Sequence, residues 1–295
     1  MASALKNILK PLIWLLPHGL YVILSRFWLP TPASKELISI NELQKNKEIH
    51  NIHDGKRCFI LGNGPSAGKI DLSILAGESV ISVSNGYLHK NYNLIAPQYH
   101  CVPQITYGLM TEKDVVAWFT EMHEHIGSAE LFLNETEYEL VRKHNLFAGR
   151  KVHFLAMRDN FDELKTHQIP DLAVAIPRVQ SVPVMAIIIA MYMGFKEIIL
   201  LGVDHDHFKS RKYIYAFDLG VQEGKDYSVT SDGQTIDSWF DEFQGLARLW
   251  RHYRFLRRVA DAQSISIYNA TPGGELDEFP RGKIENFLQI YAEKN

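Results

Sequence analysis

The strongest constraint on this chain is an alternation of short, wholly apolar runs with segments of helical length. Arg57 to Leu61 and Val80 to Val83 read as buried strands, with a helix or turn at 69–77 between them. Further strands are expected at 98–102, 129–133, 151–155, Glu197–Leu201 and 264–268, and helices at 111–125, 182–194 and 239–262. Strands separated by helices pair in parallel and are covered on both faces, so the fold class is α/β with a mainly parallel sheet. No internal repeat or low-complexity tract interrupts the pattern.

Apolar residues make up 46% of the 295, enough for a sizeable core. Lys and Arg number 31 against 34 Asp and Glu, a net charge of −3, which excludes the strongly basic footprint of a protein held on nucleic acid. The two cysteines, Cys58 and Cys101, fit neither a disulfide scaffold nor structural zinc and read as buried thiols in a reducing compartment.

Residues 1–29 are apolar but broken by Lys6, Lys10, Pro11, Pro17, His18 and Arg26, so no run reaches the ~20 residues a spanning helix needs. No small-residue cleavage site follows, which argues against a signal peptide. Two readings stay open: a segment lying in the membrane interface, favoured by Trp14, Tyr21 and Trp28, or a helical hairpin packed on the domain. Residues 30–55, opening on Pro30-Thr31-Pro32, read as a linker with one short helical stretch, and 56–295 as the catalytic domain.

Three strand ends carry chemistry. Phe59-Ile60-Leu61 runs into Gly62-Asn63-Gly64-Pro65-Ser66, a turn whose glycines would admit a ligand to the backbone and whose following amides would face an anion. It is neither a Walker loop nor GxGxxG. The second strand ends in Ser84-Asn85-Gly86, so Asn63 and Asn85 could bind one nucleotide from neighbouring strands. Ile198 to Leu201 leads into Gly202-Val203-Asp204-His205-Asp206-His207, groups able to take a proton or hold a divalent cation. In an extended segment Asp204 and Asp206 would point one way and His205 and His207 the other.

These residues carry a resemblance. Gly62 to Ser66, Arg178-Val179-Gln180-Ser181, Gly194 to Asp204 and Tyr215-Ala216-Phe217-Asp218 resemble, in order and spacing, the landmarks of bacterial sialyltransferases of glycosyltransferase family 42. With Asp204-His205 and Ile267 to Gly274 they also resemble the broader MptE-like group, which includes 6-hydroxymethylpterin diphosphokinases. The resemblance spans about residues 56–280. It implies a Rossmann-like, GT-A-variant sheet that takes a CMP-activated nonulosonic sugar and transfers it, with inversion, to an acceptor hydroxyl without an essential metal. By position, Asn63 and Asn85 would bind the nucleotide, with Ser181 beside it, Arg178 nearby and Tyr215 at the phosphate. The family's catalytic histidine lies in a lid corresponding to about 219–245, where this chain has none. The base is therefore reassigned to His205 beside Asp204, with His207 and Glu242 behind it. Gly220, Gly224 and Gly233 still punctuate a lid-like stretch.

Asn269 and Thr271, at the turn after the last strand, are further candidates for the base or ribose. Arg248, Arg251, Arg254, Arg257 and Arg258 form a cationic stripe, either a solvated face or a contact for anionic headgroups or a phosphorylated acceptor. The primary expectation is a cytoplasmic glycosyltransferase at the inner face of a bacterial inner membrane, acting on a glycan or lipid-linked acceptor, with peripheral contact through residues 1–29. The alternatives are a pyrophosphokinase using ATP and Mg²⁺ held by Asp204 and Asp206, and a non-catalytic nucleotide-binding scaffold.

Overall fold

The computed structural model describes residues 38–105, 110–161, 167–217 and 237–292. The expected segment 1–29 and most of the expected lid, 219–236, lie outside the described residues.

Strands β1 (Arg57–Leu61), β2 (Val80–Val83), β3 (Tyr99–Cys101), β4 (Glu130–Asn134), β5 (Val152–Leu155), β8 (Glu197–Leu201) and β9 (Ser266–Asn269) form one seven-stranded sheet, with β6 (Met157–Asp159) and β7 (Ile176–Pro177) pairing separately. Every pairing is parallel. Because the apolar runs are unbroken, both faces are covered. Cys58, Ile60, Ile198 and Leu200 face one core, while Phe59, Leu61, Ile199 and Leu201 face another. The helices are α1 (Ile40–Gln44), α2 (Tyr92–Ile95), α3 (Glu112–His125), α4 (Tyr138–Lys143), α5 (Val182–Tyr192), α6 (His207–Ser210), α7 (Trp239–Ala262) and α8 (Ile284–Ala292).

Helix α5 is apolar all round because it is sandwiched: every residue but Val182 is buried, between β1–β3 and α7. Helix α7 begins at Ser238, whose hydroxyl accepts from the Asp241 amide at 3.2 Å, and buries Leu249, Tyr253, Leu256, Val259 and Ala260 at helical spacing. On the opposite face, α3 starts from a Thr111–Asp114 capping box and buries Val115, Trp118, Phe119 and Met122.

Strand order is β5-β4-β3-β2-β1-β8-β9. The chain builds outward from β1, then returns to lay β8 on its other side, so the order reverses between β1 and β8. The crevice at the carboxyl edge of such a reversal is the usual place for a ligand in open parallel sheets.

One expectation changes. Residues 38–55 are packed on the domain instead of linking to it: Ile49 is fully buried, and Asn46 Nδ2 donates to the carbonyls of Phe154 and Leu172 at 2.8 and 2.9 Å. The polar residues of this stretch had hidden those anchors. The arginine stripe is exposed along its length, as a solvated face would be, and two of its members also reach a buried carboxylate. Arg254 Nε donates to Oε1 of the buried Glu278 at 2.9 Å and Arg257 Nη1 to its carbonyl at 3.2 Å, tying α7 to the segment after β9. Among the described residues no helix is long and apolar enough to cross a membrane.

Candidate active site

At the crevice the exit loops of β1 and β8 are zipped together. Leu61 pairs with Leu201, the Gly62 amide donates to the Leu201 carbonyl at 2.7 Å, and the Gly64 amide donates to the Gly202 carbonyl at 2.8 Å. A Cβ on Gly62 would stand 2.5 Å from the Gly202 carbonyl oxygen, and one on Gly64 would stand 1.9 Å from an Asp204 oxygen. The glycines therefore admit the neighbouring loop, and the Gly62 and Gly64 amides are engaged by it. The anion facing the turn is the protein's own: Ser66 donates its hydroxyl to Asp204 Oδ2 at 2.8 Å and its amide to Oδ1 at 3.3 Å. Burial raises the Asp204 pKa, and the Ser66 bonds oppose the rise.

Above this floor lies a cavity of about 480 Å³. Asn63, Gly64, Pro65, Asn85, Ser181, Asp204, His205, Asp206, His207 and Tyr215 all border it. Gly62 and Ser66 lie beneath, in the turn. The structure does not bring Asn269 or Thr271 to the lining. Asn269 Nδ2 donates to the Leu276 carbonyl at 2.9 Å, and Thr271 Oγ1 accepts from the Val203 amide at 3.1 Å, so both brace the loop that carries Asp204. Arg178 is exposed and also outside the lining.

The two histidines differ in kind. His205 adopts φ +48°, a left-handed conformation that breaks the alternation expected across 204–207. Its Nε2 lies 2.7 Å from the hydroxyl of the wholly buried Tyr253, which also meets Ser181. Burial and then the neighbouring His207 lower the His205 pKa to about 3, so it stays neutral and is a poor proton acceptor at cellular pH. His207 opens α6, with its ring stacked on Tyr213 at 4.2 Å. Its Nε2 stands 2.8 Å from Oε1 of Glu242 on α7, and the two side chains are 15% and 4% exposed. The carboxylate thus lies within ion-pair distance of one ring nitrogen, and the other ring nitrogen is not engaged by it. A second cavity, of about 230 Å³, meets the first along Ser181, His205, His207 and Tyr213 and continues past Asp241, Glu242, Leu246 and Leu249.

Of the two carboxylates considered for a cation, Asp204 has both oxygens engaged by Ser66. Among the described residues no group of three His, Cys, Asp or Glu side chains converges to hold an ion.

The cavity also has lining residues that the sequence reading missed. Lys212 and Tyr213 adjoin Tyr215 in the sequence, and a cation beside two tyrosines was the available signal. Lys209 pairs with Glu275, whereas Lys212 has no carboxylate within ion-pair distance among the described residues. Trp118 had no signal, since its helical spacing reads as core.

Comparisons with known proteins give a limited result. No family model and no curated protein matches the chain. Among solved structures it is similar to the Campylobacter jejuni sialyltransferase CstII in complex with the substrate analogue CMP-3FNeuAc, at 20% identity and TM-score 0.45 over 77% of this chain and 85% of that one. A point variant of CstII in complex with CMP gives 20% identity and TM-score 0.46 over 79% and 88% of the two chains. CstII in complex with a trisaccharide acceptor and CMP gives 19% and 0.44 over 77% and 85%.

Proposed function

We propose that this protein is a glycosyltransferase that moves a sugar, of the nonulosonic acid class, from a CMP-activated donor to an acceptor hydroxyl. The observation that carries this reading is the placement of His207, backed by Glu242, on the wall shared by two cavities at the switch point of the sheet. The ordered motifs from Gly62 to Tyr215 support the choice of CMP.

The nucleotide occupies the larger cavity against Asn63, Asn85 and Ser181, and the acceptor enters through the smaller one. The bond between the sugar's anomeric carbon and the phosphate oxygen breaks as the acceptor oxygen attacks from the opposite side, inverting the centre. The electron pair leaves with CMP. The acceptor proton passes to His207, whose developing charge Glu242 stabilises. Lys212 and Tyr215, on the same wall of the cavity, meet the charge building on the departing phosphate. This assignment moves the base from His205 to His207, and Lys212 supplies the positive charge, so no metal ion is required. A cell-surface glycan or lipid-linked molecule is the acceptor in this reading.

A thermal-shift screen of CMP, CDP, UDP, GDP and ATP tests it, because a ligand that binds only the native state raises the melting temperature. The expected result is a rise with CMP, unchanged in excess chelator. A rise with ATP alone, dependent on Mg²⁺, would overturn it in favour of a pyrophosphokinase.

A further inference from the structure

We propose that Trp118 is a positioning residue that fixes the Asn85 amide so that only its NH2 group faces the cavity, and that the nucleotide atom seated there is a hydrogen-bond acceptor. This rests on the nucleotide reading above and adds the polarity of the contact.

The argument starts from groups that can play one role only. An indole N–H donates and never accepts. Trp118 Nε1 donates to Asn85 Oδ1 at 2.6 Å, with the Tyr87 hydroxyl beside the same indole. Asn85 therefore turns its oxygen toward the indole, and Nδ2, which has no protein partner among the described residues, is the amide group left for the cavity that Asn85 borders. The indole is itself held, since it is 9% exposed and packs at 5.5 Å from the ring of Phe119 on the buried face of α3.

The turn carrying Asn85 is fixed from below. Ser84 has φ +46°, and its carbonyl lies 2.8 Å from Nε2 of the buried His100. A carbonyl only accepts, so Nε2 carries the proton. Burial lowers the His100 pKa to about 4, which leaves the ring neutral and Nδ1 bare to accept from Ser82 Oγ at 2.7 Å. One tautomer thus satisfies the whole chain.

Asn63 is held from the opposite end: its Nδ2 donates to the Val83 carbonyl at 3.0 Å, and its Oδ1 is buried without a protein partner.

The test compares CMP affinity in Asn85→Asp and Asn85→Ala. Asp keeps the bond to Trp118 but turns an acceptor on the ligand, so it should bind CMP more weakly than Ala. Replacing Trp118 by its benzothienyl analogue keeps shape and removes the N–H. It should raise KM for the donor about fivefold, the worth of one hydrogen bond, with kcat unchanged. In wild type the Trp118 indole proton should exchange slowly, and in Asn85→Ala quickly. Asp binding CMP as well as Ala, an analogue with wild-type KM, or equal indole exchange in the two proteins would overturn the proposal. A wild type that binds no nucleotide yet protects the indole proton would instead sink the nucleotide reading and leave the lock standing.

Discussion

At the scale of single residues, position in the fold separates side chains that look alike in sequence. His205 and His207 are two apart, yet one points its Nε2 at the core through Tyr253 and the other holds a carboxylate at the edge of two cavities. Lys209 and Lys212 both border the cavity, but among the described residues only the first is paired with a carboxylate, that of Glu275. If Lys212 takes the phosphate, Lys212→Gln should weaken CMP binding about tenfold, within the range of a lost charge-assisted hydrogen bond, and leave cytidine binding unchanged. Calorimetric titration of both ligands checks this, and equal losses for the two would show that Lys212 acts on the fold instead. That Asn63, Asn85, His205 and His207 border one cavity was legible because they follow buried strands that end at one edge of the sheet, whereas Asn269, at a similar strand end, braces a loop instead. Trp118 was not legible, because nothing in an amphipathic helix marks which buried indole turns its N–H toward a site.

Among the elements, the pair β1–β8 matters most, because its two exit loops press backbone to backbone. Gly202 has φ +66°, and a Cβ there would come 2.6 Å from the Gly62 carbonyl oxygen. Gly62→Ala should therefore destabilise the protein by about 1–3 kcal/mol or more through overpacking against a backbone that cannot yield. A denaturant titration reads this as a lowered midpoint at unchanged slope. The strands and the long helices were readable to within about two residues, since unbroken apolar runs and helical periodicity are set locally. The contact between the two loops was not legible, because a Gly-rich turn looks the same whether a ligand or a neighbouring loop fills the space above it. The short helix α6 and the small β6–β7 pair were missed for a related reason: both are held by tertiary contacts, not by pattern.

For the whole molecule, histidines held neutral by the fold couple stability to pH. His100 and His205 have native pKa values of about 4 and 3, below the roughly 6.5 of an exposed imidazole. Between those values the unfolded chain binds more protons, so each histidine's contribution is lost as pH falls from about 6.5 toward 4. Asp204 and Glu137, whose pKa values are raised by burial, act in the opposite sense. The clean readout is thus a difference: His100→Gln should flatten the fall in unfolding free energy over that window by up to about 1.4 kcal/mol per pH unit. Parallel curves for the two proteins would refute a buried neutral His100. The parallel sheet and its switch point followed from strand–helix alternation, whereas the packing of residues 38–55 depends on contacts with Phe154 and Leu172, more than a hundred residues away. The central claim is that one carboxylate-backed histidine at that switch point drives transfer from a CMP-sugar. The direct measurement is release of CMP from a CMP-sugar, with and without acceptor, by wild type and His207→Ala in excess chelator. The account predicts turnover by wild type and a fall of about 10²–10⁴-fold in the variant at unchanged CMP affinity; full activity in His207→Ala, or none in wild type without added metal, would contradict it.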